Sequence, residues 1–319
     1  MGDVTVSVVT TAYNHEKYIR QTIEGIVSQK TDFKFELLIN DDCSGDGTAD
    51  IIREYEAKYP DIIKPIYQSE NQYSKGVNVA RMLVMRATGE YVAFCEGDDY
   101  WCDEDKLQLQ VDVLKAHSEY AACVHQTTEL NCLTGAERRM AYRDGDGVIS
   151  FTDVIQGGNR AFQMSSLLVR RELMLDPQLD ELSGVSRIGD YPLSIFLALH
   201  GGIYYMNRAM SVYRCFSSGD SWTLTIKQHP ELAVKHNEEM VKLLELTDKI
   251  TDHKYADIIE DRITAHRYDS LMNQNSKAIF KDKRYAKFFA AESTYMKCLL
   301  IAKAYCPAGL WKLVKGLKK

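Results

Sequence analysis

The sequence predicts an α/β fold, a Rossmann-like and mostly parallel sheet covered by helices, followed by a helical C-terminal region. Three observations carry this expectation. Strand-like and helix-like segments alternate through residues 1–100, carboxylates gather where strands should end, and from about residue 228 the pattern is almost wholly helical.

Residues 4–11 (VTVSVVTT) are a β-branched run suited to a buried strand. Residues 18–29 follow with helical spacing through Ile19, Ile23, Ile26 and Val27. Residues 35–40 (FELLIN) read as the second strand, and 48–58 as a helix with Ile51, Ile52 and Tyr55 on one face. Residues 62–67 and 91–94 supply two more strands, with 77–87 helical between them. Strands separated by helices of this length imply βαβ crossovers, and such sheets bind ligands beyond the carboxyl ends of their strands. After a helix over 105–117 the rhythm changes. Residues 121–128, 165–169, 203–206 and 210–213 look like strands among irregular loops, and His236, Met240, Leu243 and Leu244 mark an apolar helical stripe later on. Strand signals stop near Thr225, which predicts an α/β domain over 1–225 (halves of about 1–100 and 101–225) and a helical region over 226–319.

The chain has 319 residues, enough for one large α/β domain with a smaller appendage. Hydrophobic residues at 45% and charged residues at 26% fit a folded chain rather than a disordered one. A net charge of −6 gives no basis for a nucleic-acid partner, because phosphate binders carry a basic excess. The eight cysteines are scattered without CxxC pairs, so neither a zinc site nor a disulfide framework is expected, and a reducing, cytoplasmic compartment is. Asp3 stands where a secretory leader would carry positive charge, so no signal peptide is expected. The longest uncharged stretch, 191–207, is broken by Pro192, His200, Gly201 and Gly202. It also falls short of the roughly 20 residues of a membrane span, so no transmembrane helix is expected.

The acidic clusters are the chemical signal. Asn40-Asp41-Asp42 follows the second strand, Asp98-Asp99 follows the strand over 91–94, and Asp190 opens a helix over 191–199. Asp and Asn commonly cap helices and end strands. Three clusters at expected strand ends ask for more, because carboxylates gathered at one sheet edge repel one another. Hard divalent cations and the diphosphates they neutralise meet that need. Asp42-x-Ser44-x-Asp46-Gly47 resembles the start of a calcium loop, but its twelfth position is Arg53 and a strand precedes it, so a calcium site is rejected. No GxGxxG follows the first strand, where Ala12-Tyr13-Asn14-His15 stands instead, and no phosphate-binding P-loop is present.

The runs VSVVTTAYNHEKYIRQTIEGIVSQ, FELLINDDCSGDGTADII and GEYVAFCEGDDYW, in this order and spacing, resemble the family-2 glycosyltransferases over about 4–225. The resemblance implies a GT-A fold, a nucleotide-sugar donor, inversion at the anomeric carbon, and Mg2+ or Mn2+. It places Thr11 and Tyr13 against the nucleotide base, with Asp42 accepting a hydrogen bond from it. Lys75 falls at a basic donor-binding position, Asp98 at the acid of the ribose or metal shell, Asp99 at the metal ligand, and Asp190 at the general base. Of the donors, UDP-sugars are favoured on resemblance alone. The sequence also departs from the family. Glu96-Gly97-Asp98-Asp99 stands where Asp-x-Asp-Asp is common, Gly189-Asp190 where Glu-Asp is, and Tyr213-Arg214 is followed by Cys215-Phe216 rather than by a His soon after. No His contact is therefore assigned.

Displacing a nucleoside diphosphate from an anomeric carbon requires stabilised leaving-group charge and a deprotonated acceptor hydroxyl. A cation held by Asp99 suits the first task, and Asp190 the second, a general base being worth about 10²- to 10⁴-fold. The competing role for Asp190 is helix capping. Trp101 could stack on an acceptor sugar or pack in the core, and His117 and His125 read as surface or satisfied core groups. The expected product is a surface polysaccharide or glycoconjugate. A sugar-nucleotide pyrophosphorylase is the same-fold alternative, but its Gly-rich signature after the first strand is missing. A catalytically dead sugar-nucleotide-binding protein has no chemical reason to retain Asp42, Asp98, Asp99 and Asp190 together.

No acid follows Glu292, whereas Lys297, Lys303, Lys312, Lys315, Lys318 and Lys319 do. Leu310, Leu313, Val314 and Leu317 share one helical face with Trp311 beside them, so a basic amphipathic helix is expected after Pro307. Such a helix suits reversible attachment to an anionic membrane at its cytoplasmic face, where a lipid-linked oligosaccharide acceptor would reside.

Overall fold

A computed structural model describes residues 3–158, 161–186, 189–216 and 230–305. The chain divides into two compact units, residues 1–181 with 188–221, and residues 182–187 with 222–319.

The first unit is built on a ten-stranded sheet. Its strands are β1 (Val4–Ala12), β2 (Lys34–Asp41), β3 (Ile63–Tyr67), β4 (Tyr91–Phe94), β5 (Tyr100–Trp101), β6 (Ala122–Asn131), β7 (Glu137–Met140), β8 (Gly147–Ile149), β9 (Leu168–Arg170) and β10 (Ile203–Cys215). The order is β3-β2-β1-β4-β9-β6-β10-β5, with β7 on β6 and β8 on β10. The longer ladders, β1 with β2 and β6 with β10, are parallel, as are β2–β3 and β1–β4. The short β9 lies antiparallel between β4 and β6 and joins the two parallel halves. The fold class is the α/β, mostly parallel one the sequence predicts.

Helices α1 (Ile19–Val27), α2 (Thr48–Lys58), α3 (Val79–Val84) and α4 (Lys106–Ala116) are the crossovers. Each buries the face its spacing marks: Ile19, Ile23 and Ile26 of α1 join Val6, Val8, Leu37, Ile39 and Ile52 in one core. Gly25 lets α1 approach β5 closely, since a Cβ there would lie 2.5 Å from the Trp101 carbonyl oxygen. The middle of the chain holds more structure than expected: β7, β8 and α5 (Phe151–Gly157) occupy stretches that read as loops. The sequence of β7, ERRM, is a largely exposed edge without apolar alternation, which is why it carries no strand signal. The predicted strands 203–206 and 210–213 are one strand, β10, whose register slips between Met206 and Ser211. Asn207 and Arg208 at that slip are exposed, so an irregularity within the strand imitates a turn. Residues 164–166 form a single 3-10 turn, and the strand expected over 165–169 begins at Leu168.

The second unit is helical. Pro230–Ile250 and Ala256–Asn273 pair, and Tyr268, Ile279 and Tyr285 form a smaller core. No helix among the described residues is long and apolar enough to cross a membrane. The basic amphipathic segment after Pro307 lies outside the described residues.

Candidate active site

Of the predicted residues, Thr11, Asp42 and Asp98–Asp99 stand at or just after the carboxyl ends of β1, β2 and β4, whereas Lys75 lies in a 3-10 turn after β3 and Asp190 opens a helix over 190–199. Thr11 ends β1 half-buried, and its carbonyl accepts from Gly97 N at 3.0 Å. A Cβ on Gly97 would meet His15 Nδ1 at 2.7 Å, so glycine there lets the 96–99 turn lie flat on the end of β1. Tyr13 is 48% exposed. The loop after β1 is pinned to the loop after β2. Asn14, at φ 55°, donates to Ser44 Oγ and accepts from Gly45 N, His15 N donates to Thr48 Oγ1, and Glu16 N donates to Asp46.

Asp42 is buried and occupied. Its N–H donates to the Ala12 carbonyl at 2.9 Å, while its two carboxylate oxygens accept from Gln72 N (2.8 Å) and Tyr73 N (3.0 Å). Lys75, in the same 3-10 turn as Tyr73, pairs with Glu70.

Glu96, Asp98 and Asp99 crowd the turn after β4. The Asp99 N–H closes the turn on the Glu96 carbonyl, and Thr22 Oγ1 donates to the carbonyls of Gly97 and Asp99 at 3.0 and 2.6 Å. Asp99 is 1% exposed, and burial, then the charges of Asp98 and Glu96, push its carboxyl well above the usual range. Glu96 still reaches solvent on one side, yet desolvation first, and then Asp98 and Asp190, push it up to about 8. The charge of Asp190, the first residue of α6 (Asp190–Leu199), thus acts on Glu96 although the two are remote in sequence. Gly189 holds the N-cap position of α6, so Asp190 stands one residue inside the helix; it is exposed at the surface, yet the atoms packed around its carboxyl desolvate it and raise its pKa. His15 is pushed down by burial, while Asp98 and Asp46 pull it the other way.

The sequence reading missed the residues that hold the turn. Arg214 on β10 donates its backbone N–H to Asp99 Oδ1 at 2.9 Å. Its guanidinium donates to the Asp98 carbonyl at 2.5 Å and to Gln21, and packs over the rings of Tyr100 and Tyr18 at 4.5 and 5.0 Å. The only signal was a lone Arg beside Tyr213 at the end of an apolar strand. Trp101 is 3% exposed and donates its ring N–H to the Ser165 carbonyl, so it packs in the core and offers no face to a sugar. His117 is exposed and bonded to Glu119. His125 is fully buried, with Nδ1 on the Gln126 carbonyl and no partner for Nε2 among the described residues, so it is a core histidine satisfied on one nitrogen only.

Among solved structures, S. aureus TarS 1–349 in complex with UDP-GlcNAc superposes with a TM-score of 0.59 at 18% identity, covering 94% of this chain and 79% of that one. The mannosyltransferase PcManGT from Pyrobaculum calidifontis, in complex with GDP-Man and Mn2+, gives 0.54 at 19% identity over 99% and 85%. The fold is that of the GT-A glycosyltransferases. The glycosyl transferase family 2 model matches residues 7–173, and the chain belongs to that family. An uncharacterized protein of Mycobacterium tuberculosis, Rv1520, is 30% identical over 82% of this chain and 73% of its own. The Escherichia coli enzyme WfgD, named as a UDP-Glc:alpha-D-GlcNAc-diphosphoundecaprenol beta-1,3-glucosyltransferase, is 31% identical over 36% of this chain and 42% of its own.

Proposed function

We propose that this glycosyltransferase moves a sugar from a UDP-sugar to a hydroxyl of a lipid-linked carbohydrate acceptor, with inversion, during surface polysaccharide or glycoconjugate synthesis. The observation that carries the reading is the acidic Glu96–Asp99 turn at the carboxyl end of β4, held against the end of β1, with the Asp190 charge acting on Glu96. Thr11 ends β1, Tyr13 follows it and Asp42 follows β2 beside that turn, so the nucleotide is assigned to this end of the sheet and the acceptor side to Asp190. The acceptor oxygen attacks the anomeric carbon, the bond from that carbon to the diphosphate oxygen breaks, and the acceptor proton passes to Asp190.

The donor set fits a divalent ion. The charge of Asp98 raises the proton affinity of Glu96 and of Asp99, and Glu96 raises that of Asp99, a like-charge repulsion that a hard cation relieves. Among the described residues no three His, Cys, Asp or Glu side chains form a self-sufficient metal site. Asp99, with Asp98 beside it, would hold Mg2+ or Mn2+ together with the donor's diphosphate. When bound, the ion would neutralise charge on the departing diphosphate. UDP-GlcNAc and GDP-Man in the solved neighbours, and the diphosphoundecaprenol acceptor in the name of WfgD, support the substrate classes. The lysine-rich sequence after Pro307 supports residence at an anionic membrane surface.

The test is a thermal-shift panel of UDP, GDP, dTDP and their sugars with and without Mn2+, followed by transfer to a lipid-linked acceptor. Stabilisation grows as RT ln(1 + [L]/Kd), so a UDP-sugar should raise Tm most, and more with the ion. No shift with any nucleotide would overturn the reading.

A further inference from the structure

Residues 70–76 form a loop that is tightly ordered yet displays a large aromatic ring to water. Gly76, at φ +82°, closes its 3-10 turn, and Ser74 N and Oγ bond to Asn71 Oδ1 and O at 2.7 and 2.8 Å. Asn71 Nδ2 in turn donates to the Asp42 carbonyl at 3.3 Å. The loop is fastened to the sheet by Asp42, a carboxylate 4% exposed whose two oxygens accept from Gln72 N and Tyr73 N. A buried carboxylate is costly unless hydrogen-bonded, and here both oxygens are bonded to one short piece of backbone. That arrangement fixes where Tyr73 starts, while its side chain stays 79% exposed. Through its own N–H on the Ala12 carbonyl, the same Asp42 also fixes the end of β1, where the 48% exposed Tyr13 begins. Two exposed tyrosines thus leave the backbone on either side of one buried acid, each with its main chain fixed by that acid.

We propose that Tyr73 is a nucleobase-contacting residue of the donor site, and that Asp42 acts as the positioning residue that holds it there. The inference rests on the nucleotide-sugar reading above. A planar heterocycle stacks on an aromatic ring whatever its hydrogen-bonding edge, so Tyr73 contributes affinity for the base. Discrimination among bases then falls to the polar groups of the loop that Asp42 orders. Because Tyr73 is exposed, its removal leaves the core untouched and the variant folds.

Calorimetric titration of the full chain with UDP, GDP, dTDP and inorganic pyrophosphate, in the presence of Mn2+, tests this. For the diphosphate that the wild type binds best, Tyr73→Ala should raise Kd by about tenfold, the effect of losing one base–aromatic stack. Pyrophosphate binding should be unchanged, and Tyr73→Phe should bind as the wild type does. Asp42→Asn, which replaces one acceptor by a donor facing a backbone N–H, should weaken the same diphosphate, and adding Tyr73→Ala to it should cost little more. Wild-type affinity in Tyr73→Ala, or equal losses for Phe and Ala, would overturn the contact while leaving the glycosyltransferase reading intact. If the wild type binds none of the three diphosphates, the nucleotide reading itself fails and the contact with it.

Discussion

The backbone N–H of Arg214 meets Oδ1 of Asp99 at 2.9 Å, so a strand 115 residues further along the chain sets the aim of the proposed metal-binding carboxylate. Only the main chain makes that bond, and it survives any substitution that keeps β10 in register. The guanidinium has a separate task. By holding the Asp98 carbonyl and Gln21 between the rings of Tyr18 and Tyr100, it keeps the acidic turn from opening under its own repulsion.

Replacing Arg214 therefore separates stability from chemistry. Arg214→Lys keeps the charge but loses the planar fork, and should cost about 2 kcal/mol of unfolding free energy with a marked fall in transfer. The check is urea denaturation beside a transfer assay on one preparation. Unchanged stability would mean that the fork contributes nothing to the turn.

Removal of the ion's proposed ligand makes a sharper case. Asp99→Ala, or chelation by EDTA, should weaken UDP binding and stop transfer, and added Mn2+ should restore the chelated wild type but not the variant. Equal UDP affinity with and without Mn2+ in calorimetry would remove the metal from the mechanism. Stability should change little, because relief of the like charges around this buried acid offsets the loss of the acceptor for the Arg214 N–H.

For Asp190 the expectation is a split between binding and turnover. Asp190→Asn keeps the size of the side chain and removes its basicity, so donor affinity should persist while transfer falls by about 10²- to 10⁴-fold. Gly189 holds the N-cap of α6, so the helix should survive, and circular dichroism should match the wild type. Near-wild-type turnover would transfer the role of base to another group.

Much of this was readable in the residues, for a physical reason. Strands covered on both faces, such as β1 and β2, must be β-branched and apolar along their length, and the helices over them must show their spacing. The edge strands β7 and β8 carry no such demand, and the bulged β10 looks like two strands. The acids announced themselves by clustering at strand ends. Their partners did not: Arg214 reaches Asp99 only after β10 folds beside β6, and the influence of the Asp190 charge on Glu96 has no local signature. Trp101 was ambiguous because adjacency to Asp99 in sequence says nothing of which way a ring turns. The buried contact of Gly25 with its backbone and the cation beneath its ring settle it as core.

That cation, Lys106, gives a prediction with a definite sign. Its side chain is 0% exposed, with Nζ 4.0 Å from the Trp101 ring centroid and 2.7 Å from Gln110 Oε1, and burial lowers its pKa from 10.5 to about 7. Below about 7 both folded and unfolded chains carry the proton, and the folded state bears the full cost of the buried charge. Between about 7 and 10.5 the unfolded chain binds more protons than the folded one, so stability rises with pH, by at most ~1.4 kcal/mol per unit from this group. Above 10.5 the contribution is flat. Lys106→Met fills nearly the same volume, keeps a contact with the Trp101 ring and has no proton to lose, although it leaves the Gln110 oxygen unpaired. Relative to the wild type it should be at its most stable near pH 6 and should lose that advantage steadily toward pH 10. Denaturant titrations of both proteins at intervals across that range give the difference directly, and other titrating groups cancel in it. Two parallel stability curves would mean that Lys106 stays charged in the fold at every pH, held by the ring beneath it.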